Sequence, residues 1–195
     1  MGIMLDLLWN LDLTLFKFIN QSLSFPWLDQ ITPVITNLDQ YLWLRIALPL
    51  VVLFFFIRKY QRQGITYFLF LILALSTGDF IGGRIKKAVS RPRPFQVAEN
   101  QTILKAEGAE NRSFYSNHAS NTFTAAFYLA AFFPPGQIYF FTVATIVALT
   151  RVHVGVHYPS DILVGALMGL LIGFIFSRAI KIFVKKQSNP AEKNP

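Results

Sequence analysis

The chain has 195 residues, a formal charge of +8, a mean hydropathy of +0.44 and no cysteine. Long apolar runs with few charges place it among membrane proteins rather than soluble domains, and the absent thiols exclude disulfides, a cysteine nucleophile and cysteine–metal sites. The positive balance comes without the basic helix or aromatic–basic platform of a nucleic-acid binder, so membrane lipids, and no nucleic acid, are the expected partners.

A bilayer crossing needs about 20 mostly apolar residues. Residues 5–19 carry Asp6, Asp12 and Lys17 in an otherwise apolar stretch. That pattern fits a tilted first span or an amphipathic helix lying in the interface, and a span is the expectation here. No basic segment precedes it, so residues 1–10 are not read as a removable signal peptide. Residues 24–38, with Pro26 and Pro33, read as a connector containing a short helical piece. Clearer spans follow at 41–57, 65–85, 119–133, 138–152 and 162–183. Pro134-Pro135-Gly136 makes a sharp turn between two of them, and Pro159 suits the first turn of the last. The expected class is all-α: a polytopic integral-membrane bundle of about six transmembrane helices. Residues 1–186 form one domain, and 187–195 a disordered tail.

Arg58, Lys59 and Arg62 lie between two spans, and Arg178, Lys181, Lys185, Lys186 and Lys193 crowd the end of the last. An even number of crossings separates these groups, and the positive-inside rule makes their shared face cytoplasmic. The opposite, outer face is also basic, with Lys86, Lys87, Arg91, Arg93, Lys105 and Arg112. Ligand binding is the expected reason for that exception.

Three polar clusters sit at helix ends on this outer face. Lys86 and Arg93 flank a proline-stiffened segment and offer an ammonium and a planar fork for phosphate oxygens; alone, they equally suit a basic membrane-flanking loop. Ser116-Asn117-His118 opens a helix, where free N–H groups and the dipole favour an anion, although Ser116 is also a good N-cap. Arg151, His157 and Asp161 form the sharpest group. The four-residue spacing of His157 and Asp161 puts them on one face at the start of the last helix, so the carboxylate can take one ring N–H and leave the other nitrogen free to attack.

The pattern Lys86-x6-Arg93-Pro94, Ser116-Asn117-His118, Arg151-x5-His157-x3-Asp161 resembles the type 2 phosphatidic acid phosphatase family, which shares its motifs with vanadium haloperoxidases and bacterial acid phosphatases. Tyr115, Asn117 and Thr150 depart from the family's usual proline, glycine and serine, and Tyr115 is expected to change the pocket rim. The resemblance implies His157 as nucleophile forming a phosphohistidine, Asp161 as its orienting carboxylate, and His118 as the acid that protonates the leaving oxygen and then activates water. It also implies that Lys86, Arg93, Ser116, the Asn117 N–H and Arg151 hold the phosphate oxygens. No metal or other cofactor is implied.

Outside these clusters, His153 is read as structural, and Asp79 as a partner of Arg84 or of a neighbouring helix. Gly165, Gly169 and Gly173 form a close-packing face, and residues 95–114 a headgroup-contacting lid. The expected function is a metal-independent phosphatase acting on a lipid phosphate or pyrophosphate at the outer face of a bacterial inner membrane. Undecaprenyl pyrophosphate, phosphatidylglycerol phosphate, phosphatidic acid and lipid A are the candidate substrates. A lipid phosphotransferase using the same phosphohistidine is the alternative enzyme, and a lipid-phosphate-binding membrane protein the non-enzymatic one.

Overall fold

The computed structural model describes residues 2–106 and 112–188, and among these the chain is all-helical. The helices are α1 (Gly2–Lys17), α2 (Pro26–Thr36), α3 (Leu42–Tyr60), α4 (Arg62–Val89), α5 (Asn117–Phe132), α6 (Gln137–His153) and α7 (Pro159–Ser188). They match the expected spans to within a few residues, and α2 is the helical piece of the connector. Of the expected tail, residues 189–195 lie outside the described residues, and α7 runs through Ser188. The segments Arg62–Gln96 and Pro159–Lys186 are long and apolar enough to cross a bilayer by length and composition. Leu42, Trp43, Ile138, Tyr139 and Leu163 are among many large apolar side chains exposed on the outside, an exterior that calls for an apolar partner.

Helix α5 is the centre, packed between α4, α6 and α7. Its approach to α7 is set by the glycine face. A Cβ at Gly165 would lie 2.6 Å from the Ser116 carbonyl oxygen, and one at Gly173 2.9 Å from Phe127 Cβ. A Cβ at Gly169 would collide with the Ser120 carbonyl. Contact this close lets the Thr124 hydroxyl donate to the Gly169 carbonyl at 3.2 Å.

The two ends of the bundle are held differently. Phe56, Tyr67, Leu71, Tyr128, Phe132, Ile180 and Val184 pack into an aromatic-rich core at one end. There Tyr60 Oη (2.9 Å) and Lys59 donate to the Phe132 carbonyl, and Lys181 Nζ donates to that of Ala131 at 2.8 Å. These satisfy carbonyls left over at the C-terminus of α5. At the other end the buried apolar cluster is small (Phe16, Val152 and Tyr158), and polar contacts dominate.

Helix lengths place that polar end in a recess. At 1.5 Å per residue, α5 with 16 residues is roughly 24 Å long and α4 with 28 residues roughly 42 Å. Asn117, the first residue of α5, lies against Gly82 and bonds Asp79. The last two turns of α4, carrying Lys86, therefore rise beyond the start of α5.

Because α5 and α7 touch backbone to backbone at Gly169, Gly169→Val should force them apart and cost about 1–3 kcal/mol. Thermal unfolding of purified protein in detergent measures this; an unchanged midpoint would contradict the packing described.

Candidate active site

The site is built where the chain leaves α4 and where it passes from α6 to α7. Ser90, at φ +51°, closes α4. The following Arg91-Pro92-Arg93 is extended, because a residue before proline is driven out of the helical region; Arg93 has φ −77° and ψ 156°, and Pro94 opens a short 3-10 turn. This stiff strap lays both arginines onto the α6–α7 link. The link turns at Gly155, whose φ of +86° suits glycine, and a Cβ there would lie 2.6 Å from Thr102 Cγ2. The turn folds Val156 and His157 back so that both backbone N–H groups donate to the Arg151 carbonyl at 3.2 Å.

His157 therefore lies in the link before α7 rather than on the helix face expected from spacing. It still meets Asp161, with Nδ1 3.4 Å from Oδ2. The other nitrogen, Nε2, is 3.2 Å from Arg93 Nη1, which also donates to the Val156 carbonyl at 2.7 Å. Guanidinium only donates, so Nε2 is the acceptor and the ring proton sits on Nδ1, facing the carboxylate. Nε2 is then the unprotonated nitrogen, with the Arg93 guanidinium beside it. Burial, assisted by the charges of Arg93 and Arg151 and opposed by Asp161, pushes the His157 pKa down to about 3, so the ring is neutral near pH 7.

Asp161 is fully buried and saturated. Its Oδ2 accepts from the Tyr158 N–H at 2.9 Å as well as from His157, and its Oδ1 from Arg91 Nη1 at 2.8 Å. Its own carbonyl accepts from the Ser116 N–H at 3.1 Å, which docks the start of α5 onto the start of α7. Ser116 is the N-cap of α5, its Oγ accepting from Ala119 N at 3.4 Å. His118, half-buried, follows within the first turn. Lys86 leans back along α4, as helical side chains do, and donates to the carbonyls of Tyr115, Ser113 and Arg112. Arg151 is buried and donates to Thr36 Oγ1 at 2.7 Å. The expected residues thus gather at the polar end of the bundle.

The three departures from the resembled pattern each have a structural account. The Asn117 side chain turns away toward Asp79, donating at 3.1 Å beside Asn121 at 2.9 Å; Asp79 thus bonds α5 amides, as the neighbouring-helix expectation held. Tyr115, expected at the pocket rim, is instead fully buried. Thr150 bonds its own helix, at the Val147 carbonyl, 2.7 Å away.

Residues 65–185 match the model of the PAP2 superfamily. The chain belongs to the PAP2 superfamily. It is 29% identical over 186 residues to the bacitracin transport permease protein BcrC of Bacillus licheniformis, covering 94% of this chain and 89% of that one. It is also 29% identical over 137 residues to an undecaprenyl-diphosphatase of Sulfolobus acidocaldarius, covering 70% of this chain and 62% of the relative. The crystal structure of Aquifex aeolicus LpxE superposes with a TM-score of 0.71 at 27% identity, over 86% of this chain and 95% of that one.

In this PAP2 protein the described part of the expected lid is tied down on both sides. Asn100 Nδ2 donates to the Pro94 carbonyl (3.1 Å) and to Tyr158 Oη (2.8 Å). Asn20, fully buried, bonds both the N–H and the carbonyl of Ile103 at 2.9 Å and the His153 carbonyl at 2.8 Å. His153 itself lies against Thr32 Oγ1 (2.9 Å) and Asp29 Oδ1 (3.3 Å), a joint between α2 and α6. Residues 107–111 of that segment lie outside the described residues.

Spacing arguments missed Asn20, Asn100, Thr36, Arg91 and Asp12 as parts of this end. Two left a trace: Arg91-Pro92 duplicates Arg93-Pro94, and Asp12 interrupts an apolar helix. The amides left none. Because Asn20 satisfies three backbone groups, Asn20→Ala should cost about 1–3 kcal/mol and loosen residues 101–106. Hydrogen exchange at Ile103 should rise above wild type; unchanged protection there would refute the clamp.

Proposed function

We propose that the protein is a lipid phosphate or pyrophosphate phosphatase that works through a phosphohistidine at His157. The observation that carries this reading is the pair of contacts at His157: Nδ1 lies 3.4 Å from Asp161 Oδ2 and Nε2 3.2 Å from Arg93 Nη1, which assigns the ring proton to Nδ1. The named activities of the relatives, an undecaprenyl-diphosphatase among them, support the reaction class.

In the proposed cycle Nε2 attacks phosphorus in line as the bond to the leaving oxygen breaks. Arg93, Lys86, Arg151, Ser116 and the Asn117 N–H hold the equatorial oxygens, where charge spreads in the transition state. Asp161 balances the positive charge that the imidazole acquires. His118 gives a proton to the leaving oxygen, then takes one from the water that attacks phosphorus and breaks the N–P bond. Among the described residues no group of three His, Cys, Asp or Glu side chains is placed to hold a metal, and the fixed cations take the role a metal would have.

The proposed setting is an inner membrane crossed by about six helices, with the site facing outward. The apolar exterior and the two long apolar helices support a membrane setting, and the basic residues Arg58, Lys59, Arg62, Lys181, Lys185 and Lys186 support the orientation. In that setting a lipid keeps its chains in the bilayer while its phosphate enters the recess beside α5. Undecaprenyl pyrophosphate leads the candidate substrates because of the relatives' names; phosphatidylglycerol phosphate, phosphatidic acid and lipid A follow.

Phosphate release by purified protein from a panel of these lipids, with EDTA present, tests the reaction. Wild type should turn over, and His157→Ala should lose at least about 1,000-fold, of the order of a lost nucleophile, while remaining folded. Release by His157→Ala at the wild-type rate, or a strict requirement for added magnesium, would overturn the mechanism. Orientation is tested separately, by introduced cysteines against the cysteine-free background. A cysteine at Gln101 should react with an impermeant reagent in intact spheroplasts, and one at Gln63 only after lysis. The reverse pattern would place the site in the cytoplasm.

A further inference from the structure

Behind Asp161 lies a second charged layer that the cycle above does not use. Arg91 donates from Nη1 to Asp161 Oδ1 at 2.8 Å and from Nη2 to Asp12 Oδ2 at 2.6 Å. Its guanidinium lies 3.9 Å from the centre of the Tyr158 ring and 5.1 Å from that of Trp9, which fixes its plane between α1 and the α6–α7 link. Asp12 is 8% exposed within a mostly apolar helix. It also accepts from the Ser160 N–H (2.8 Å) and Ser160 Oγ (2.6 Å), at the first turn of α7. One guanidinium thus joins two carboxylates, and the second carboxylate caps the helix that carries the first. An arrangement confined to docking α1 would need Asp12 and Ser160 only; the bond from Arg91 to the far oxygen of Asp161 extends it to the nucleophile.

We propose that Arg91 and Asp12 are positioning residues for the phosphohistidine reaction, holding the Asp161 carboxylate in its orientation and preserving its charge toward His157. This rests on the reading given above. A carboxylate has two oxygens: the Tyr158 N–H holds Oδ2 of Asp161 on the side of His157, and Oδ1 needs a second anchor to fix the plane of the group. Arg91 is that anchor. Taken alone, a guanidinium at 2.8 Å would offset the negative charge that His157 needs as its ring becomes cationic. Asp12 offsets Arg91 in turn, so that Asp12, Arg91 and Asp161 together present a net charge of −1 to the imidazole. Helix α1 is then part of the active site without touching substrate, and an arginine serves the site from behind while Arg93, two residues on, serves it from the front.

The test compares Arg91→Gln, Arg91→Lys, Asp12→Asn and the double variant Asp12→Asn/Arg91→Gln with wild type and His157→Ala, in the full-length protein in detergent. A lipid phosphate that wild type hydrolyses is the substrate. Arg91→Gln should lower kcat about 100-fold, the scale of a misplaced reacting group, with KM within a few-fold of wild type. Its kcat–pH profile should differ from that of wild type, because the Arg91 charge acts on the carboxylate that faces His157. Arg91→Lys should recover part of kcat. Asp12→Asn should lower kcat less, and the double variant should be no worse than Arg91→Gln, because both act through one carboxylate. Wild-type kcat and pH profile in Arg91→Gln or Asp12→Asn, with His157→Ala inactive, would sink this proposal alone. Turnover by His157→Ala would remove the reading beneath it, and the proposal with it.

Discussion

The polar end of this molecule is organised around one buried carboxylate. Asp161 has no exposure to solvent, and an unpaired charge in such a place costs several kcal/mol. The fold meets that cost with donors from separate pieces of chain: Arg91 from the proline strap, the Tyr158 N–H from the link, and the His157 ring. Each donor fixes something else. Arg91 brings α1 through Asp12, Tyr158 brings Asn100 and the loop that follows the strap, and the Asp161 carbonyl brings the N-cap of α5. Remove the carboxylate and the reason for these segments to converge is gone.

A division of labour along the bundle axis follows. Apolar burial and ring packing hold the end where α3, α4, α5 and α7 meet around Phe56 and Tyr67. In an apolar surrounding, hydrophobic contrast between helices is weak, and close backbone packing takes over; the glycine face of α7 against α5 is that packing. The other end gives up a large apolar cluster and is held instead by hydrogen bonds from Asn20, Asn100, Arg93 and Lys86. Such an end fixes its cations around the His157 imidazole through hydrogen bonds.

Much of this was legible in the sequence, for physical reasons. Apolar runs bounded by proline and basic residues marked the helices, and the spacing of Lys86, Arg93, His118, Arg151, His157 and Asp161 marked the candidate site. What could not be read depends on tertiary turns. His157 and Asp161 are four apart, yet Pro159 starts the helix after His157, so the pair meets through a link turned at Gly155 rather than along a helix face. Asn117 stands where the resembled family has glycine, and only the structure shows its amide turned to Asp79. Arg91 looked like one more cation on a basic face, since nothing local distinguishes an arginine that binds substrate from one that braces a carboxylate.

The central claim is that Nε2 of His157 becomes covalently bonded to phosphorus. It is tested most directly by acid-free rapid quenching of a reaction with a lipid pyrophosphate radiolabelled in its terminal phosphate, whose leaving phosphate departs without an acid, using His118→Ala to slow hydrolysis of the intermediate. The account predicts a protein-bound label that is stable to alkali, lost in acid, and mapped to His157. A His118→Ala protein that still consumes substrate but carries no label, or carries one stable to acid on another residue, would contradict it.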